Sequence, residues 1–76
     1  MRIISFNVNG IRAIVGKSFI EDMQREDFDV ICIQETKATV EQVKLAVAPL
    51  DDYTVFASEA EKKGYSGTAI LTKQKP

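Results

Sequence analysis

Arg2-Ile3-Ile4-Ser5-Phe6-Asn7-Val8-Asn9-Gly10 is the stretch on which the fold turns. Arg2–Val8 is rich in β-branched and aromatic residues and alternates in polarity. The alternation predicts a strand with Ile4, Phe6 and Val8 on one face and Ile3, Ser5 and Asn7 on the other. Asn9-Gly10 ends it as a turn. A loop is expected to Lys17. Ser18 and Glu21 have capping-box spacing, which predicts a helix with Phe19, Ile20, Met23 and Phe28 along its apolar stripe. Val30–Gln34 is short and mostly apolar, as a strand buried on both faces should be. A strand, a helical crossover and a second strand imply a parallel pair. Asn7 and Glu35 then leave the sheet at the same edge, beyond the carboxyl ends of the strands, where open α/β sheets bind ligands.

Downstream, Thr39 and Gln42 form a second capping box. Val40, Val43, Val47 and Leu50 recur at helical spacing until Pro49 stops the helix near Ala48. Tyr53–Ala57 and Thr68–Thr72 read as strands joined through Ser58–Gly67. The order is β-α-β-α-β-β, and an antiparallel last pair makes the sheet mixed. If the third strand runs with the first two, the turn Glu61–Ser66 also faces the edge that carries Asn7 and Glu35. Tyr53 is expected to send its hydroxyl to the surface. Met23 and Cys32 read as packing residues.

Composition narrows the function classes. The chain has 76 residues, 45% of them apolar, with a formal net charge of -1 and no histidine. This is a globular balance and one domain. A single cysteine, Cys32, makes no intrachain disulfide, and with no histidine a structural zinc site is excluded. No apolar run approaches the ~20 residues of a membrane span. The amino terminus reads as a strand rather than a signal peptide. A reducing cytoplasm and no membrane partner are the expectations. Acids concentrate at residues 21–29 as a solvated helix face, while Lys62, Lys63, Lys73 and Lys75 stand in a stretch without acids.

Three constellations carry candidate chemistry. Asn7-Val8-Asn9-Gly10-Ile11-Arg12 offers amide oxygens to a hard cation and amide and guanidinium donors to a phosphate. Gln34-Glu35-Thr36-Lys37 places a carboxylate directly after a buried strand, which suits Mg²⁺. Lys62-Lys63-Gly64-Tyr65-Ser66-Gly67 combines ammoniums, backbone N–H groups and an aromatic ring, as contacts to a nucleic-acid backbone require. Each alone also reads as turn chemistry, a polar strand exit or a lysine-rich hairpin tip.

Taken together, in this order and spacing, IISFNVNGIRA, IQETK at residues 33–37 and EKKGYSGTAILTK at residues 61–73 resemble the exonuclease III class of AP endonucleases, within the exonuclease–endonuclease–phosphatase superfamily. The resemblance spans essentially the whole chain. It implies a four-layer α/β sandwich, incomplete here, with residues 1–76 as the N-terminal part of a single endonuclease/exonuclease/phosphatase domain. The implied activity is metal-dependent hydrolysis of DNA at abasic sites, with removal of nucleotides and blocking groups from 3′ ends. The implied cofactor is Mg²⁺ or Mn²⁺, and the implied partner is double-stranded DNA with abasic sites or 3′ ends. The full-length protein is expected to be a monomer.

Carried over by position, the resemblance makes Asn7, Asn9, Glu35 and Lys37 the catalytic set, with Glu35 and Asn7 at the metal. It makes Arg12, Ala13, Lys17, Gly64 and Tyr65 the DNA contacts. Phe6 stands where relatives usually have Trp. The family's catalytic tyrosine, its Asp-x-Asn motif and its terminal Asp-His pair belong downstream of Pro76. The 76 residues alone are therefore expected to be inactive. The alternatives are a non-catalytic DNA-binding or interaction module and a superfamily phosphoesterase with another substrate. Half a sandwich would leave one sheet face exposed and prone to self-association.

Overall fold

The computed structural model describes residues 1–16, 18–59 and 67–73. In chain order the elements are β1 (Ile3–Asn7), α1 (Ile11–Ile14), α2 (Phe19–Glu26), β2 (Val30–Gln34), α3 (Val40–Ala46), β3 (Tyr53–Ser58) and β4 (Thr68–Lys73). The four strands form one sheet in the order β1-β2-β4-β3. β1 and β2 are parallel, with Asn7 opposite Gln34. β4 runs antiparallel to both β2 and β3. β3 therefore points the same way as β1 and β2, and the connection between β3 and β4 starts at the edge where Asn7 and Gln34 end.

The period of two seen in the sequence sorts the sheet into two faces. Ile4, Ile31, Leu71 and Val55 form one cross-strand row. On this face Ile31, Ile33, Ala69 and Leu71 are buried. They join Ile11 of α1, Phe19 and Met23 of α2, and Val43, Val47 and Leu50 of α3 and its exit in one core. The Phe6 and Phe19 rings meet at 5.6 Å between centroids. The opposite face carries the row Ser5, Cys32, Ile70 and Phe56. It is open: Phe56 is 60% exposed and Ile3 58%. β2 is accordingly not buried on both faces, because only Ile31 and Ile33 meet helices, while Val30, Cys32 and Gln34 are half-buried. An open face is what half of a sandwich presents.

The two predicted helix starts fare differently. At α3, Thr39 Oγ1 accepts from the Gln42 backbone N–H at 3.1 Å, and Gln42 Oε1 accepts from the Thr39 N–H at 2.9 Å. This reciprocal cap contributes ~1 kcal/mol. At α2 the capping box does not form. Ser18 adopts a left-handed backbone (φ 73°) and makes no side-chain cap. Its hydroxyl donates instead to Asp22, one turn on, at 3.3 Å. The expected loop before Lys17 contains the one-turn helix α1. Four residues are too few to show an apolar period, so the pattern was silent there.

Tyr53 corrects a second expectation. It is buried, and its hydroxyl donates to the Phe28 carbonyl rather than reaching solvent. Burial raises its pKa above the ordinary tyrosine value, with Asp27, Asp29 and Asp52 adding to the rise and Lys73 opposing it. Lys73 donates to Asp27, and that bond raises the lysine's pKa as well. In both cases the folded chain holds its proton more tightly than the unfolded chain. Both contributions are therefore intact below about pH 10 and are lost as pH rises through the folded values. We expect the urea midpoint to fall as pH rises above about 10, and to fall less in Tyr53→Phe. An alkaline profile identical in the two proteins would contradict this account.

Candidate functional site

Four of the predicted residues meet at the carboxyl edge of β1 and β2. Asn7 is the last residue of β1, and Glu35 follows β2 directly. Asn7 Nδ2 donates to Glu35 Oε2. Asn7 Oδ1 accepts from the backbone N–H of Asn9 at 2.8 Å. Asn9 Oδ1 accepts from Lys37 Nζ at 2.6 Å. The four residues form one hydrogen-bonded series, Lys37–Asn9–Asn7–Glu35, in which the Asn9 backbone N–H makes the link to Asn7. Continued strand alternation would put Asn9 on the face of Asn7, but the two do not meet that way. β1 has ended, and Asn7 folds over its own backbone as an Asx-type turn.

The backbone beneath this series is unusual. Among the described residues, the non-glycine positions with positive φ are Asn9 (50°), Ser18 (73°), Asp27 (57°), Glu35 (55°) and Lys37 (50°). Three of the five are members of the series. Asn tolerates this region, but each of the others costs ~1–2 kcal/mol in it. Such strain persists only where surrounding bonds over-determine it. Here they do. The Glu35 carbonyl accepts from Gly10 N at 2.8 Å, the Thr36 carbonyl from Ile11 N at 2.9 Å, and Thr36 N donates to the Gly67 carbonyl at 3.1 Å. Gly10 itself sits at φ 105°, where a side chain would be strained.

The donor chemistry is that of a hard cation with few protein ligands. A carboxylate offers about four lone-pair sites, and Asn7 uses one of Glu35's. Among the described residues no group of three or more His, Cys, Asp or Glu side chains is placed to hold a metal. One carboxylate beside an amide fits Mg²⁺, which keeps several waters and takes the rest of its shell from substrate phosphate. Glu35 and Asn7 are the residues that would hold it.

The predicted DNA contacts are placed in part. Arg12 and Ala13 are exposed on α1, whose start is tied to Glu35 and Thr36 through the Gly10 and Ile11 N–H groups. They do not join the four-residue series. Lys17, Gly64 and Tyr65 lie outside the described residues, as does most of the KKGYSG stretch. Pattern reading quoted Thr36 and Gly67 only within longer stretches and gave neither a role; both are buried and connect the end of β2 to the start of β4. A glycine immediately before a strand was the only available signal. Among the described residues no helix is long and apolar enough to cross a membrane.

Comparisons with known proteins bear on the family and the fold. An exodeoxyribonuclease of Bacillus subtilis is 49% identical over 77 aligned residues, which cover 100% of this chain and 29% of that protein. A DNA-(apurinic or apyrimidinic site) endonuclease of Dictyostelium discoideum is 42% identical, covering 100% of this chain and 21% of its own length. The chain thus spans less than a third of the relatives it matches. The solved structure of an AP endonuclease from Archaeoglobus fulgidus superposes with a TM-score of 0.81 at 32% identity, over 100% of this chain and 28% of that one. Residues 4–76 match the Endonuclease/Exonuclease/phosphatase family over nearly their whole length. The mixed sheet with its parallel β1–β2 pair is thus a fold shared with that solved structure, and the chain belongs to the endonuclease/exonuclease/phosphatase family.

Proposed function

We propose that the protein carrying these residues is a DNA-repair nuclease. It hydrolyses the phosphodiester 5′ of an abasic site in double-stranded DNA and clears nucleotides and blocking groups from 3′ ends, using Mg²⁺ or Mn²⁺. The activity is proposed for the longer protein, with residues 1–76 supplying one half of the metal site and inactive alone. The observation that carries the reading is the continuous Lys37–Asn9–Asn7–Glu35 series at the carboxyl edge of the parallel strands. The names of the nuclease relatives support the substrate class.

A divalent cation, when bound, neutralises phosphate charge and stabilises the leaving oxygen. The chain's own residues hold and aim it. Glu35 supplies the negative charge. Asn7 fixes the carboxylate rotamer through Nδ2. Its own amide is fixed in turn by the Asn9 N–H, so the pair is preorganised before substrate arrives. Lys37 donates to Asn9 Oδ1 and so ties the same network to the segment that follows β2. Arg12, on exposed α1, offers a forked donor to a backbone phosphate, and we assign Ala13, Lys17, Gly64 and Tyr65 to the same DNA track. Such contacts need not read bases, because an abasic site differs from intact duplex in deformability.

The test uses the full-length protein on an abasic duplex, an undamaged duplex and an RNA of equal length. Incision at the abasic site, abolished by EDTA and restored by Mg²⁺ or Mn²⁺, is expected. Preferential cleavage of RNA, or cleavage indifferent to EDTA, would assign the site to another phosphoesterase reaction.

A further inference from the structure

We propose that Thr36 and Gly67 are positioning residues, a steric lock that holds Glu35 and Lys37 in their strained conformations; the proposal rests on the nuclease reading above. Thr36 lies between two residues with left-handed backbone, Glu35 and Lys37. Their side chains enter the polar series, while Thr36 points into the protein and is 0% exposed. Its backbone is held on both sides. The N–H donates to the Gly67 carbonyl at 3.1 Å, and the carbonyl accepts from Ile11 at 2.9 Å. Rotating either neighbour out of the left-handed region would have to break one of these bonds or move the buried side chain.

Gly67 is the other half. A Cβ built on it would sit 2.7 Å from Thr36 Oγ1 and 2.7 Å from the Ser58 carbonyl oxygen. Such contacts essentially do not occur, and one of the two atoms is backbone, so something must shift. The shift is transmitted to Thr36 by the side-chain contact and by the 3.1 Å backbone bond at once. Gly67 thus has a reason to be glycine that owes nothing to a positive φ. Thr36 Oγ1 is also the buried side-chain polar atom that finds no hydrogen-bond partner among the described residues. A hydroxyl kept buried at that cost calls for an explanation. Its close fit against Gly67 supplies one: the atom acts as a spacer that sets the distance between the β2 exit and the β4 entry.

In the full-length protein, Gly67→Ala is expected to lower kcat on abasic duplex by about 100-fold, the loss typical of ~1 Å of misplacement, with KM changed less than about threefold. Mn²⁺ affinity without DNA is expected to fall about tenfold, because Glu35 is displaced. Thr36→Ala should act in the same direction, and Thr36→Ser should recover most of the loss. Combining Gly67→Ala with Thr36→Ala should give less than the product of the single losses, since both act on one contact. Tyr53→Phe, which removes a buried hydrogen bond at the end of β3 opposite the site, is the control for destabilisation and should lower Tm while leaving kcat unchanged. The amide NMR shifts of Glu35 and Lys37 report the lock independently of activity. If they move in Gly67→Ala, the lock stands even where wild-type protein fails to cleave DNA, and it is then the nuclease reading that falls. If they do not move, or if Tyr53→Phe reproduces every loss of Gly67→Ala, the lock is overturned.

Discussion

Replacing Glu35 with Gln in the full-length protein is expected to lower kcat on an abasic duplex by roughly 1,000-fold, about 4 kcal/mol of transition-state stabilisation. The substitution keeps the shape of the side chain and its acceptor oxygen for Asn7 Nδ2, so the hydrogen-bonded series can persist. What it removes is the negative charge, and among the described residues no cluster of ligating side chains replaces it. Mn²⁺ binding measured without DNA should weaken with the rate, while Tm stays near the wild-type value. Restoring Mg²⁺ to high concentration should recover part of the rate. Wild-type kinetics in Glu35→Gln would remove the carboxylate from the mechanism and with it the proposed metal site.

The second large effect concerns stability. Leu71→Ala is expected to destabilise the fold by about 2–5 kcal/mol, a substantial part of the ~5–15 kcal/mol that holds a domain together. Leu71 is fully buried in β4, opposite Ile31 on one side and Val55 on the other. Truncation leaves a cavity at the meeting point of three strands, and the sheet cannot close it without breaking register. Thr68→Ala, in the same strand but exposed, should cost less than ~0.5 kcal/mol. Urea denaturation of the two variants separates these cases. Equal midpoints would mean that the Leu71 site relaxes and that the core is not packed as described.

The first strand was legible in the sequence because its side chains repeat every two residues, which sorted Ile4 and Phe6 from Ile3 and Ser5; Val30–Gln34 was expected to be buried on both faces, and only Ile31 and Ile33 are buried. α3 was legible from a true capping box at Thr39. The same spacing misled at Ser18. A local pattern cannot tell a cap from a left-handed residue whose hydroxyl bonds to Asp22 instead. Within the site, Asn7 and Glu35 could be placed at one edge by the parallel rule alone. Asn9 and Lys37 were quoted within their constellations, but nothing in their spacing says that they touch, and their place in one catalytic set came from the family resemblance. Thr36 and Gly67 escaped because their contact joins positions 31 residues apart and depends on backbone torsions that composition does not encode.

The strand order β1-β2-β4-β3 also sets a timetable for assembly. On a ribosome, β3 emerges before the strand it pairs with, and β2 waits with one edge bare. Residues 68–73 then complete two ladders at once, antiparallel to both neighbours. Until they arrive, Tyr53–Ser58 has no partner in the sheet, and its apolar residues are open to pairing with other chains. A pause in translation just before Thr68 would lengthen that exposure, and one just after Lys73 has left the exit tunnel would not. The sites of synonymous rare codons around β4 should therefore influence soluble yield without altering a single residue of the protein.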